Sequence, residues 1–193
     1  MKYIIFISLL LISCSKNSES NSINENETLA SETEQVSNDY YEIYLLEQLN
    51  ENRGYCIDIK GSKLNADPDN GLQAHTCYSY QGEVSVDQGF DNVKIDEDEF
   101  YMPFFDVCME AENTSATSTL KLRGCNKNEK QKFKFNNNGE IVLNDNTNLC
   151  LTVSENSREG GGGTPTHLIR DLTLDNCRTD ISSRQKWGLR KAQ

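Results

Sequence analysis

The sequence predicts an all-β fold made of three similar repeats, and three observations support this prediction. Six cysteines alternate between the beginning of one predicted strand and the end of another. Each closing cysteine is followed by a glutamine, a spacer and a large aromatic residue. Stretches such as FKFNNNGEIVLNDNTNLCLTV alternate apolar and polar residues with the period of a β-strand and contain hairpin turns. The same alternation disfavours a helical repeat.

The length and the net charge of the chain limit the number of domains and the kinds of partner. The chain has 193 residues, of which 36% are hydrophobic, and this is enough for one domain with a core plus some unstructured sequence. The net charge of −11 disfavours a nucleic-acid partner, because such binding needs a surface rich in lysine and arginine. We therefore expect one domain and no nucleic acid.

Residues 1–13 are predicted to be a lipoprotein signal peptide. Lys2 precedes an apolar run over residues 3–12 that is too short to span a bilayer as a mature helix. Leu11-Ile12-Ser13-Cys14 resembles the bacterial lipobox, in which the cysteine is acylated and becomes the first mature residue. The resemblance implies that Cys14 anchors the protein in the cell envelope, at the outer membrane or cell surface. An ordinary secretory signal with a chance cysteine is the alternative.

Residues 14–39 are predicted to be a disordered, lipid-anchored tether. They are mostly Ser, Asn, Glu and Thr, and their few apolar residues are isolated, so no face could be buried. The periodic part of the sequence begins near Tyr40. We therefore expect a single folded domain over residues 40–193.

The six cysteines of this domain are expected to form disulfides, because their number is even and export is expected. Each opening cysteine begins a similar strand: Cys56-Ile57-Asp58-Ile59, Cys108-Met109-Glu110-Ala111 and Cys150-Leu151-Thr152-Val153. If each repeat closes its own bridge, the pairs are Cys56 with Cys77, Cys108 with Cys125, and Cys150 with Cys177. Each bridge would stabilise the fold by roughly 3 kcal/mol in the chain-entropy model. The cysteine spacing and the presence of only two histidines disfavour a metal site.

The spacing of the repeats favours threefold symmetry. Successive opening cysteines are 52 and 42 residues apart, whereas the step from the motif glutamine to the next opening cysteine is 20 residues and then 19. Insertions therefore lie within repeats and not between them. A β-unit of this size could be a propeller blade or a trefoil lobe, and three units close a trefoil but are too few for a typical propeller.

The opening C-[IML]-x-[IAV], the closing cysteine and Q-x-[FW], in three tandem copies over about residues 40–193, resemble the ricin-type lectin domain. That family is a β-trefoil with three pseudo-symmetric repeats. The resemblance implies that Phe90, Phe133 and Trp187 fill a shared core and that the glutamine before each one ties down local backbone. It also implies a glycan partner, no enzymatic activity and no cofactor. We expect a monomer.

The family's sugar site, carried over by this resemblance, has an aspartate two residues after the opening cysteine and a glutamine four residues before the closing one. An aromatic ring stacks on the sugar, and a polar residue precedes the motif glutamine. The first repeat supplies Asp58, Gln73, His75, Tyr78, Asp87 and Gln88. His75 departs from the family's usual aromatic residue, and Tyr78 or Tyr80 could supply the ring instead. We expect Asp58 to lie on the surface.

The second and third repeats have lost this set and are interpreted as scaffold. They offer Glu110, Lys121 and Lys130, and Thr152, Thr173 and Arg184, at the matching positions. Asp67-Pro68-Asp69-Asn70-Gly71 is interpreted as a tight turn and residues 96–99 as a solvated hairpin tip. Gly160–Gly163 is interpreted as a flexible insertion. Two alternatives stay open: a protease inhibitor acting through that insertion, and a sugar-inactive scaffold for another protein.

Overall fold

The computed structural model describes residues 40–82 and 84–191. The predicted signal peptide, Cys14 and the tether lie outside the described residues. Within those residues, no helix is long and apolar enough to cross a bilayer.

The described residues form β-strands, short 3₁₀ turns and one short α-helix, α1 (Asn92–Asp96). The strands are β1 (Tyr40–Leu45), β2 (Tyr55–Ile59), β3 (Leu72–Thr76), β4 (Phe90–Asp91), β5 (Tyr101–Met102), β6 (Val107–Ala111), β7 (Ser118–Arg123), β8 (Phe133–Phe135), β9 (Ile141–Leu143), β10 (Asn146–Val153), β11 (Arg158–Glu159), β12 (Leu168–Asn176) and β13 (Trp187–Arg190). The all-β prediction is confirmed.

Each repeat contains one antiparallel hairpin that runs from its opening cysteine to its closing cysteine. These hairpins are β2–β3, β6–β7 and β10–β12, and β12 also pairs with β3 and β7, so the three hairpins meet. The residue two after each opening cysteine faces the residue four before the closing one, in the pairs Asp58–Gln73, Glu110–Lys121 and Thr152–Thr173. This shared register is the threefold symmetry that the sequence predicts.

Each hairpin is closed by its own disulfide. The bridges are Cys56–Cys77, Cys108–Cys125 and Cys150–Cys177, as predicted. The first and last strands of the domain, β1 and β13, pair antiparallel with Glu42 opposite Arg190, which joins the two ends of the domain.

The three motif aromatics are buried in the common core, as predicted: Phe90 and Phe133 are 0% exposed and Trp187 is 1% exposed. Phe100 lies between the two phenylalanines in edge-to-face contacts, with ring centroids 6.4 Å and 5.8 Å away. The indole Nε1 of Trp187 donates to the carbonyl of Leu151 at 2.9 Å, which satisfies its single polar atom inside the core.

The hairpin tip predicted at residues 96–99 is wrong. Helix α1 ends at Asp96, and a turn follows it. Asp91 caps the helix, because its carboxylate accepts hydrogen bonds from the backbone N–H groups of Val93 and Lys94 at 2.8 Å and 3.1 Å. A helix of five residues is too short to show a helical period in the sequence.

Candidate functional site

The motif glutamines Gln88, Gln131 and Gln185 are buried and make the same contacts in every repeat. Each Oε1 accepts a hydrogen bond from the backbone N–H that follows the closing cysteine, in Tyr78, Asn126 and Arg178 (2.8–3.0 Å). Each Nε2 donates to the carbonyl that precedes that cysteine, in Thr76, Gly124 and Asn176 (2.9–3.1 Å). The backbone-tying role that the resemblance implied for these glutamines is therefore present in all three repeats.

Each glutamine also holds the side chain two residues after the opening cysteine. The three acceptors are Asp58 Oδ2 at 3.0 Å, Glu110 Oε2 at 2.9 Å and Thr152 Oγ1 at 2.8 Å. This position is therefore structural in every repeat, whatever else it does. The threonine shows that a hydroxyl is sufficient for the structural contact.

Asp58 is buried at 1% exposure, so the expectation that its carboxylate lies on the surface is wrong. The reason is the pair of amides that reach it from inside the domain. Oδ1 accepts from Gln73 Nε2 at 2.9 Å and Oδ2 accepts from Gln88 Nε2 at 3.0 Å. Gln73, which the family resemblance places beside this aspartate, is thus in direct contact with Asp58.

Asp87 is a second buried carboxylate in the same repeat, at 0% exposure. One of its oxygens accepts from the backbone N–H of Lys63 and the other from the hydroxyl of Ser85. Burial raises the pKa of Asp58 well above its usual value, and the charge of Asp87 raises it further. Neither carboxyl group forms an ion pair with a described residue, so the first repeat holds two buried acidic groups without a cationic partner.

Four rings form an aromatic cluster next to these carboxylates: His75, Tyr78, Tyr80 and His167. His75 and Tyr78 are 5.2 Å apart between ring centroids, and His167 lies edge-on to both at 5.1 Å and 5.3 Å. The Nε2 of His167 is 3.0 Å from the hydroxyl of Tyr80, which is 48% exposed. Burial raises the pKa of Tyr78, and the charges of Asp58 and Asp87 add to this effect, so its hydroxyl lies within the field of both carboxylates.

His167 comes from the third repeat, and sequence reasoning did not assign it to the site. The loop between β11 and β12 carries it onto the first repeat. Arg53 holds this loop by donating to the carbonyls of Pro165 and Thr166 at 2.9 Å and 3.0 Å, and Leu168 N–H donates to Thr76 Oγ1 at 2.8 Å. The interpretation of Gly160–Gly163 as a flexible insertion did not anticipate these contacts of the residues that follow it.

Gly163 has no room for a side chain where the loop passes the ring of His167. Its φ is +78°, and a Cβ at this position would lie 2.4 Å from the ring of His167. The glycine at position 163 therefore gives the ring of His167 room to pack, whereas a Cβ at Gly161 or Gly162 would meet no atom within 4 Å. The run and a histidine four residues beyond it were the available sequence signal, but the contact joins residues about 90 positions apart.

The equivalent positions in the other repeats have no such arrangement. Glu110 is half-buried and accepts from Asn128 and Gln131, while the hydroxyl of Thr152 donates to the carbonyl of Cys150. The residues that correspond to His75 in register are Arg123 and Asp175. Among the described residues, a buried carboxylate, its paired amide and a ring cluster meet in the first repeat alone.

A glutamate accompanies each disulfide, and no sequence pattern indicated this arrangement. Glu42, Glu99 and Glu140 place a carboxylate oxygen within 4.8 Å of the sulfurs of their own repeat's bridge. A disulfide sulfur is not the thiolate that binds metal ions. Each group therefore offers one carboxylate ligand and does not form a metal centre.

Residues 46–187 match the family model for the ricin-type beta-trefoil lectin domain. No curated protein matches the chain.

Three solved structures have the same fold at low identity. The mdaA-1 domain has a TM-score of 0.55 and is 15% identical, over 78% of this chain and 88% of its own. The designed threefold-symmetric protein ThreeFoil has a TM-score of 0.55 and is 16% identical, over 78% and 97%. The earthworm R-type lectin C-half, in complex with GalNAc, has a TM-score of 0.51 and is 14% identical, over 79% and 98%.

Proposed function

We propose that this chain, which belongs to the ricin-type β-trefoil lectin family, binds a glycan non-covalently through its first repeat. The observation that carries the proposal is the buried carboxylate of Asp58. Thr152 fills the equivalent position with a hydroxyl and makes the same contact to its glutamine. A buried, unpaired carboxylate is unfavourable, so its presence indicates a role that the threonine does not have.

The chemistry of this group suits a sugar. Each oxygen of Asp58 accepts one amide hydrogen bond and has capacity for another. Two adjacent sugar hydroxyls can donate to one carboxylate and form charge-assisted bonds of fixed geometry. The rings of His75 and Tyr78 lie on the same side of the repeat and provide apolar surface for the C–H face of a pyranose.

Access to Asp58 requires movement, because the carboxylate is 1% exposed. Of the four rings in the aromatic cluster, His167 is the one that comes from another repeat, on the loop between β11 and β12. Displacing this loop removes one ring of the cluster and leaves the hairpin and disulfide of the first repeat in place. We infer that the sugar enters as the loop moves aside.

The related earthworm R-type lectin half is a complex with GalNAc, which supports a sugar as the class of ligand. A glycan array probed with the full chain is expected to give a defined set of bound glycans. An array without any bound glycan, together with capture of a protein partner, would favour the sugar-inactive scaffold instead.

We further propose that Cys14 carries the lipid anchor and that residues 15–39 act as a tether at the cell envelope. This proposal rests on the lipobox-like Leu11-Ile12-Ser13-Cys14 and on the polar composition of the segment after it. Many anchored copies on one membrane would raise the avidity of a single weak site. The ligand would then be a glycan on a surface that faces the anchored protein.

A further inference from the structure

The loop between β11 and β12, residues 160–167, covers the surface of the first repeat on which the proposed sugar would stack. The ring of His167 lies 5.1 Å from that of His75 and 5.3 Å from that of Tyr78, measured between ring centroids. Both of these first-repeat residues are buried, so neither ring is free to stack on a pyranose while the loop is in this position. The loop is called the lid below.

Two contacts, one before and one after the histidine, attach the lid to the first repeat. Before it, Arg53 donates from Nη1 to the carbonyl of Pro165 at 2.9 Å and from Nη2 to the carbonyl of Thr166 at 3.0 Å. After it, the N–H of Leu168 donates to Oγ1 of Thr76 at 2.8 Å. Both contacts use main-chain groups on the lid side, so only the side chains of Arg53 and Thr76 can be changed to break them.

Glu51 orients both of these side chains. Its carboxylate accepts hydrogen bonds from Nε and Nη2 of Arg53 at 2.8 Å and 2.6 Å, and from Oγ1 of Thr76 at 2.9 Å. The hydrogen bonds from Arg53 lower the pKa of Glu51 to about 2, so this carboxylate stays ionised at neutral and mildly acidic pH. Four of the five N–H groups of Arg53 are engaged by Glu51 and by the lid, so its guanidinium serves the closed lid.

The lid is closed on itself and is poised to move as a unit. The N–H of Gly160 donates to the carbonyl of His167 at 2.7 Å, and the N–H of His167 donates to the carbonyl of Gly162 at 3.1 Å. In the closed position His167 is buried, and its Nδ1 has no hydrogen-bond partner among the described residues. A buried polar atom without a partner is unfavourable, and opening would return this atom to water. The contacts with Arg53 and Thr76 offset this cost while the lid is closed.

We propose that Arg53, oriented by Glu51, holds the lid closed, and that release of the lid from Arg53 controls the entry of a glycan into the first repeat. This inference rests on the proposed lectin function. Only the open fraction of the protein then binds, so the apparent dissociation constant is the intrinsic one divided by that fraction. Weakening the Arg53 contact is therefore expected to speed association and to tighten binding, which the loss of a residue that served only the fold would not do.

Opening of the lid is measured on the full chain without glycan, using diethyl pyrocarbonate at pH 7.5, which acylates neutral imidazole rings. The chain has two histidines, and His75 lies on β3 and not on the lid, so its acylation reports the uncovering of the first repeat. Arg53→Lys keeps a cation beside Glu51, but one ammonium group cannot pair with that carboxylate and also reach both carbonyls of the lid. Peptide mass spectrometry is expected to show about tenfold faster acylation of His75 in this variant.

A second variant and a matched control accompany this measurement. Thr76→Val removes the other contact with little change of shape, and it is expected to speed acylation of His75 about fivefold. Arg158→Lys makes the same change in an exposed arginine of β11 that pairs with Asp171, and it is expected to leave acylation unchanged. Chemical denaturation gives the unfolded fraction of each variant. Acylation no faster than that fraction allows would assign it to global unfolding and overturn the lid.

The association rate is then measured by surface plasmon resonance with the glycan that binds most strongly on the array, and Arg53→Lys is expected to associate about tenfold faster. Unchanged acylation of His75 in Arg53→Lys would overturn the role of Arg53. Faster acylation without faster association would overturn control of entry and leave the lectin proposal intact. An array without any bound glycan would overturn the lectin proposal and control of entry together, whereas acylation of His75 would still decide whether Arg53 holds the lid.

Discussion

Asp58, Glu110 and Thr152 occupy one position in three repeats, and their differences separate structure from function. All three accept a hydrogen bond from the motif glutamine, but only Asp58 is a carboxylate that is fully buried. The structural requirement at this position is therefore an acceptor oxygen, which a threonine meets. The contact to the motif glutamine therefore needs neither the second oxygen of the Asp58 side chain nor a carboxyl group.

Alanine at any of the three positions is expected to destabilise the fold. Each change leaves the Nε2 of a buried glutamine without one acceptor, which costs about 1–3 kcal/mol of the free energy of unfolding. Asp58→Ala also strands the amide of Gln73, although it removes a raised-pKa carboxylate. Chemical denaturation of Asp58→Ala, Glu110→Ala and Thr152→Ala measures these losses. Unchanged stability in all three variants would contradict the structural role of the glutamines.

Gly163→Ala is expected to displace the loop that carries His167. The new Cβ would lie 2.4 Å from that ring and 2.8 Å from the carbonyl oxygen of Pro165, at a residue with positive φ. Increased hydrogen exchange at His167 and Leu168 is the expected result. Gly162→Ala, which has a similar φ but no atom within 4 Å of its Cβ, controls for backbone strain, and Gly161→Ala controls for the substitution itself. Equal exchange in all three variants would argue against close packing at Gly163.

At the scale of elements, the domain is held together by contacts within each repeat and by contacts between repeats. The hairpins and their disulfides follow from local sequence pattern, because each lies within one repeat. The β11–β12 loop instead packs across repeats, held by Arg53 and by the ring of His167. A titratable group, His167, is part of the packing of this loop.

Acidification is expected to weaken the contact of this loop. Burial lowers the pKa of both His75 and His167, and the nearby cations Arg53 and Lys63 add to the effect at His167. At pH 7.5 both rings are mostly neutral in the folded and unfolded states, because the ordinary histidine pKa is about 6.5. As pH falls below about 6.5, the unfolded histidines take up protons that the folded ones resist, so stability is lost.

Denaturation at pH 7.5 and pH 5.5 measures this loss. His167→Phe keeps a ring but cannot be protonated, and it should reduce the pH dependence of the free energy of unfolding over this interval. Asp87 partly offsets the lowering of the His75 pKa, and Glu51 partly offsets that of His167, because a nearby negative charge favours the protonated ring. An unaltered pH dependence in His167→Phe would exclude this histidine as the cause.

At the scale of the whole molecule, the repeat pattern predicted the architecture because it is local and occurs three times. The cysteine pairs, the Q-x-[FW] aromatics and the register of Asp58 with Gln73 are all set within one repeat. The burial of Asp58 was not predictable, because it depends on how Gln88 and neighbouring segments close over it. The loop contact of His167 and the Glu42–Arg190 pair join residues far apart in the sequence, and no spacing rule relates them.

Membrane anchoring is a prediction about the whole chain. Cys14→Ser removes the residue that the lipobox-like sequence presents for acylation, so the variant is expected to be lost from the membrane fraction. Fractionation with immunoblotting compares it with Ser15→Ala, a change beside the same position. Equal membrane recovery of Cys14→Ser and the unaltered chain would contradict lipid anchoring through this cysteine.

The most direct test of the lectin proposal is calorimetric titration of the full chain with a glycan identified on the array. Asp58→Asn keeps the shape of the side chain and removes the charge that two hydroxyls would share, so affinity is expected to fall at least about tenfold. Glu110→Gln makes the same change in the second repeat, and Thr152→Ala removes the third-repeat acceptor. Both should bind nearly as well as the unaltered chain, once thermal denaturation shows that each variant is folded. Undiminished affinity in folded Asp58→Asn would contradict glycan binding through the first repeat.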